Sequence, residues 1–266
     1  MNKKLVFFDI DGTLLDHDKK VPLSTKEAIQ ELTANGHEVA IATGRPPFLF
    51  KELREELGID SYVSLNGQYV VYKGKLVYSN PIPTEVLHSL KEYAVSIGQP
   101  IIYTSEENTK MNVTYHKRVE ASYAPHKLPI PECDPDYYLG RHIYQAALFC
   151  TEEEESAYIV EYNDLLRLVR WDEVAVDVIP TGGSKAAGIE KFIQHLGYYK
   201  REEVIAFGDN LNDLEMLQFV GHGVAMGNAD SVVKEVARYV TKDVDQDGIM
   251  HGLRQLGLLS VDSAVV

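Results

Sequence analysis

Val6-Phe7-Phe8-Asp9-Ile10-Asp11-Gly12-Thr13-Leu14-Leu15 is the stretch on which the reading of this chain turns. An apolar run enters it, and two carboxylates one residue apart appear where the run stops. Short uninterrupted apolar runs suit a strand buried on both faces, as in a parallel sheet. Open α/β sheets bind ligands outside the carboxyl ends of their strands. Asp9 and Asp11 are therefore expected side by side at the mouth of a cleft, with Gly12 turning the backbone. Two carboxylates that close repel each other, and one pKa rises unless a cation intervenes. Such a pair suits chemistry, because one Asp can attack as a nucleophile while its neighbour carries a proton. The plain structural alternative is a strand end whose Asp residues cap a turn.

Outward from this stretch, the alternating pattern of an α/β protein emerges. Ser24 and Glu27 make a capping-box pattern ahead of a helix that Gly36 stops, and Glu38–Ala42 is a second short strand. It ends in Thr43-Gly44-Arg45, followed by two prolines suited to the first turn of the next helix, whose amides favour anions. Residues 62–78 read as a strand, an Asn66-Gly67 turn facing the cleft, and a hairpin. From 83 to 181 the chain becomes Tyr- and Pro-rich, with helices and strands of its own. A hundred residues are too many for a loop, so they are expected to form an inserted α+β domain. From Gly182 the first pattern returns. Gly182-Gly183-Ser184-Lys185 opens a helix without P-loop spacing, and Glu203–Phe207 is a strand running into Gly208-Asp209-Asn210-Leu211-Asn212-Asp213. The expected architecture is α/β: a Rossmann-like, doubly wound parallel sheet from residues 1–82 and 182–266, with an α+β cap from 83–181.

Composition narrows the partners. The 266 residues are 45% hydrophobic and 25% charged, ordinary for a soluble globular protein with room for two cores. A formal charge of −14 argues against nucleic acid or anionic membrane as a partner, so an anionic substrate must be held by local cations or metal. Two cysteines, Cys133 and Cys150, give neither a disulfide framework nor metal-ligand spacing and read as semi-buried thiols. Residues 1–20 lack a signal-peptide pattern, and no apolar run approaches spanning length. A cytoplasmic protein is expected, its oligomeric state open.

A third carboxylate, Asp209, follows an apolar strand just as Asp9 does, and Asp213 lies four residues on, on the same face if a helix has begun there. Oxygen-only ligands are the preference of Mg²⁺. Lys185 in the first turn of a helix runs against the helix dipole, and reads either as a solvated lysine or as a cation reaching into the cleft to hold a phosphate. D-x-D-G-T at 9–13, T-G-R at 43–45, Lys185 and G-D-N-x-N-D at 208–213 occur in an order that resembles the haloacid dehalogenase superfamily. The long insert between the second and third motifs resembles its Cof-type branch with a C2 cap.

That resemblance implies a Mg²⁺-dependent phosphatase for small phosphorylated metabolites. Asp9 would be the nucleophile and Asp11 the acid–base. Asp9, Asp209 and the Asp11 carbonyl would hold Mg²⁺. Thr43, the Gly44 and Ile10 amides, Lys185 and Asn212 would bind phosphate, with Arg45 and Asp213 in support. Alternatives are a phosphomutase or phosphotransferase on the same core, or a non-catalytic phosphoryl sensor, which would be expected to lose a catalytic carboxylate. Substrate choice is assigned to the cap, where Tyr103, Tyr115, Tyr123, Tyr137, Tyr138, Tyr144, His116, Lys117, Arg118, Arg141 and His142 are candidates.

Overall fold

The computed structural model describes residues 3–125 and 128–260; the outermost residues of the expected core and residues 126–127 of the expected insert lie outside that range. It divides into two compact units, one of 1–44, 50–78 and 184–266, the other of 45–49 and 79–183. The stretch 45–49, assigned to the core from sequence, thus groups with the second unit.

In the first unit the elements run β1 (Leu5–Phe8), α1 (Leu23–Ala34), β2 (Glu38–Ala42), α2 (Lys51–Leu57), β3 (Tyr62–Ser64), β4 (Tyr69–Tyr72) and β5 (Lys75–Ser79). The second unit carries α3 (Thr84–Ser96), β6 (Ile101–Thr104), β7 (Thr109–Met111), α4 (Lys117–Tyr123), β8 (Glu132–Cys133), β9 (Gln145–Leu148), α5 (Glu152–Tyr162), β10 (Leu166–Asp172) and β11 (Ala175–Pro180). The chain then returns to the first unit with α6 (Lys185–Leu196), β12 (Val204–Gly208), α7 (Leu214–Phe219), β13 (His222–Ala225), α8 (Ser231–Val236), β14 (Tyr239–Val240) and α9 (Gly248–Gln255).

The first sheet has the order β14-β13-β12-β1-β2-β3-β4-β5, parallel from β14 through β3 and antiparallel where β4 joins β3. Every side chain of β1 is buried because both faces of the sheet are covered. Val6 and Phe8 pack with α1 and α9 through Ala28, Ile29, Leu32, Ile249 and Leu253. Leu5 and Phe7 pack on the other face with Ile189 and Phe192 of α6 and Met216 and Leu217 of α7. This is the doubly wound α/β architecture expected of the core. Register levels the strand ends: Phe8 lies opposite Phe207 of β12 and Ile41 of β2. The polar residues that follow each strand are thereby brought to one edge.

One local expectation fails. Pro22, with φ −57°, takes the N-cap position of α1, and no side-chain cap forms. Ser24 is already inside the helix, and its buried hydroxyl has no hydrogen-bond partner. Proline fixes φ and its carbonyl still accepts, here from Thr25 and Lys26 at 3.1 and 3.2 Å, so the helix starts before the Ser24 box can close.

The second unit is a six-stranded sheet, β10-β11-β9-β6-β7-β8, antiparallel except between β7 and β8. Helices α3 and α5 pack on one face through Leu87, Leu90, Tyr158 and Tyr162. Val119 of α4 packs on the other, with Ile102, Met111 and Ala147.

Candidate active site

At the levelled edge of the first sheet, Asp9 continues from β1 and donates its amide to Phe207 O at 3.0 Å, while Thr43 continues from β2 and donates to Val63 O at 2.9 Å. Both side chains are buried. Lys185, 1% exposed, sends its ammonium to Asp9 Oδ1 at 2.6 Å and Asp213 Oδ1 at 2.7 Å. A buried lysine is tolerable only where carboxylates compensate it, and two do so here. It gets there because α6 lies close against the turn after β3. A Cβ on Gly67, whose φ is +93°, would come within 2.0 Å of Ser184 O, and one on Gly188 within 2.7 Å of Gly67 Cα. Only paired glycines permit that approach.

Asp213 arrives by a different route from the one its spacing suggested. Residues 211–213 form a 3-10 turn capped by Asn210, and α7 begins only at Leu214. The Asp213 carboxylate folds back so that its Oδ2 accepts from the amides of Asp209 and Asn210 at 3.0 and 3.1 Å. Its two oxygens therefore hold the Lys185 ammonium and the backbone that carries Asp209.

Asp209 is fixed from the other side by the first motif. Thr13 Oγ1 donates to its Oδ1 at 3.0 Å. Gly12, at φ +76°, passes so close that a Cβ there would lie 2.2 Å from Asp209 Oδ2. Asn228 donates from Nδ2 to Gly12 O at 2.9 Å, and its Oδ1 accepts from Val244 N at 2.9 Å.

Thr43 and Gly44 meet Asn212 through Asn66. Asn66 N donates to Thr43 O at 3.2 Å, its side chain lies against Gly44, and its Oδ1 accepts from Asn212 Nδ2 at 3.4 Å. Ile10 is buried between the two acidic residues of the first motif. The Asp11 side chain lies outside the buried group, with Oδ1 2.7 Å from Lys19 Nζ. Arg45 starts the segment that groups with the second unit.

Burial pushes the Asp9 carboxyl up to about 8, with Lys185 opposing the rise and Asp213 and Asp209 adding to it. Burial likewise lifts Asp209 to about 6, with Asp213 contributing. Burial alone would make Lys185 a weaker base, but Asp213 and Asp9 outweigh it and its pKa is raised. Three carboxylates, Asp9, Asp209 and Asp213, present oxygens within 4.8 Å of one another against that one ammonium. An oxygen-only donor set with a surplus of negative charge fits a hard divalent cation. Asp9 and Asp209 suit it better than Asp213, whose oxygens are engaged as described.

Thr13, Asn66 and Asn228 were not singled out as site residues from sequence. The signal for Asn228 was available: it is the first polar residue past the carboxyl end of the parallel strand β13, three residues on. In the second unit, Tyr103, Tyr137 and Tyr138 belong to the core under α3 and α5 rather than to a binding surface. Arg118 is engaged by Glu154, and His116 caps α4. Cys133 is exposed and Cys150 buried, so neither is the half-buried thiol expected.

Residues 6–253 match the haloacid dehalogenase-like hydrolase family. Bacillus subtilis YkrA is 47% identical over 97% of this chain and 100% of its own length. BT1666 from Bacteroides thetaiotaomicron, described among phosphatases of the superfamily, superposes with a TM-score of 0.90 at 29% identity, covering 97% of this chain and 96% of that one. The subclass IIB sugar phosphatase BT4131 gives a TM-score of 0.83 at 32% identity, covering 97% of this chain and 100% of its own. A match that runs from β1 into α9, with full-length likeness in sequence and in fold, means that the chain belongs to the haloacid dehalogenase-like hydrolases.

Proposed function

We propose that this protein is a cytoplasmic, Mg²⁺-dependent phosphatase of small phosphate monoesters, sugar phosphates in particular, working through an aspartyl-phosphate on Asp9. The observation that carries the reading is the buried Lys185 ammonium held between Asp9 and Asp213, next to Asp209. Nothing in packing calls for a lysine and three carboxylates at the end of a parallel sheet, and perturbed ionisable groups gather where chemistry is done. The likeness to a sugar phosphatase supports the substrate class.

Asp9 attacks phosphorus, and the bond to the leaving oxygen breaks as the new one to the carboxylate forms. Asp11 gives its proton to that oxygen, then takes one from the water that releases phosphate from Asp9. Lys185, the amides of Ile10 and Gly44, the Thr43 hydroxyl and the Asn212 amide group hold the phosphoryl oxygens as charge spreads over them. Asp213 keeps Lys185 in place, and Arg45 supports the loop after Thr43. Mg²⁺ held by Asp9, Asp209 and the Asp11 carbonyl would offset the repulsion between carboxylate and phosphate.

The test is release of inorganic phosphate from a panel of sugar and polyol monophosphates, with Mg²⁺ and after exhaustive chelation. Hydrolysis with Mg²⁺, lost on chelation and restored on readdition, is expected. No release from any monoester, or full activity without metal, contradicts the proposal.

A further inference from the structure

We infer that Lys19 is a positioning residue for the acid–base carboxylate Asp11, an inference that rests on the role proposed for Asp11 above. The loop between β1 and α1 closes on itself twice. Asp11 bridges to Leu15, with Gly12 N donating to Leu15 O at 3.0 Å. Asp16 then closes a second turn. Its amide donates to Lys20 O, and its Oδ1 accepts from the amides of Asp18 and Lys20, all at 2.9 Å. At the tip of that turn Lys19 has φ +63°. The left-handed region is unfavourable for a side chain of this length, and glycine or asparagine would occupy it more cheaply.

A strained residue in a loop that carries a reacting group is a reason to look for function. Here the strained position carries the side chain that meets Asp11: Nζ lies 2.7 Å from Oδ1. The pair is half exposed on both sides, at 55% and 41% of side-chain area, so it adds little to stability. What it provides is orientation. The Asp11 carboxylate sits outside the buried Asp9–Lys185–Asp213 group, and Lys19 is a partner that holds it there. An acid–base group must be held within hydrogen-bond reach of the oxygen it serves, and small misplacements are costly. The turn closed by Asp16 fixes the backbone from which the Lys19 side chain reaches Asp11.

The experiment compares Lys19→Gly, Lys19→Met and Lys19→Arg in the full-length, Mg²⁺-loaded protein on two substrates, an alkyl phosphate and a nitrophenyl phosphate. Glycine relieves the backbone at this position, so Lys19→Gly should melt no lower than the parent. We expect kcat on the alkyl phosphate to fall roughly tenfold in the Gly and Met variants. That is short of the 10²–10⁴ typical of removing an acid–base group outright. KM should change little, and the first chemical step on the nitrophenyl ester, which needs little protonation, should be nearly unaffected. Lys19→Arg should recover most of the loss. A change confined to KM would make Lys19 a substrate contact, and equal losses in the first chemical step on both esters would make it a structural residue; either result overturns the inference, as does unchanged kcat on the alkyl phosphate. Asp11→Asn run alongside separates the two levels. If it shows no dependence on leaving group, the acid–base role of Asp11 fails; if it does and the Lys19 variants do not, only the inference about Lys19 fails.

Discussion

In the first unit, Lys185 is enclosed between Asp9 and Asp213 with Asp209 alongside. In the second, Asp177 stands half-buried on β11, and no cation among the described residues offsets the effect of burial on its carboxyl. Burial pushes both Asp9 and Asp177 up, to about 8 and about 7. The core answers its buried carboxylates with a lysine, backbone amides and hydroxyls, and still leaves negative charge to spare. The cap leaves its carboxylate largely to itself. A buried charge network organised around a place for something else is the mark of a reacting site, whereas a half-buried carboxylate without a counter-charge is a cost that the surrounding sheet carries.

That contrast breaks most readily at Asp9. Asp9→Asn should reduce turnover by at least about 10⁴-fold, as loss of a nucleophile does, while the melting temperature holds or rises because one of three crowded carboxylates has been neutralised. Activity within tenfold of the parent would place the nucleophile elsewhere.

Lys185→Met tests the network's balance instead of its chemistry. Removing the cation leaves Asp9 and Asp213 buried without compensation, which should cost about 3–5 kcal/mol. The loss should be greater at pH 9 than at pH 5, since Asp9 keeps its proton at the lower pH and calls on the cation only as it ionises around pH 8. Urea unfolding at both values, with Lys185→Met/Asp213→Asn as the partial rescue, measures it. A pH-independent loss would show that Lys185 matters for packing alone.

The smallest effect is expected in the cap. Folded Asp177 keeps its proton up to about pH 7, while the unfolded chain releases it near 3.8. The folded state therefore binds more protons across that window, and the stability Asp177 contributes is lost as pH rises from about 4 through about 7. Asp177→Asn should match the parent at pH 4 and exceed it at pH 8, by a few degrees in Tm. Parallel stability profiles for the two proteins would show that Asp177 keeps its water.

Much of the core could be read directly from residue order, and the reason is physical. A strand covered on both faces must be apolar throughout, so Leu5–Phe8 and Val204–Phe207 announce themselves, and the polar residue that ends each run falls at the ligand edge. Long-range placement was harder to see. Asp213 reaches Lys185 through a 3-10 turn, whose pitch spacing arguments based on an α-helix do not anticipate. Asn66 and Asn228 act through hydrogen bonds to residues far along the chain, and a local pattern that puts them near the cleft does not show those partners. The cap misled for the opposite reason: Tyr103, Tyr137 and Tyr138 serve a hydrophobic core as well as they would a sugar, and composition does not distinguish the two uses.

The central claim, that Asp9 carries the phosphoryl group while Asp11 moves protons, is tested most directly by trapping the intermediate. In Asp11→Asn the nucleophile is untouched, and a nitrophenyl leaving group departs with little need of an acid. Formation of the phosphoenzyme should therefore outpace its hydrolysis, which lacks a base to activate water. Rapid-quench mass spectrometry of Asp11→Asn after mixing with nitrophenyl phosphate and Mg²⁺ should find one added phosphoryl group, on the peptide containing Asp9. A phosphoryl group on any other residue, or none at any time while phosphate is being released, would contradict the account.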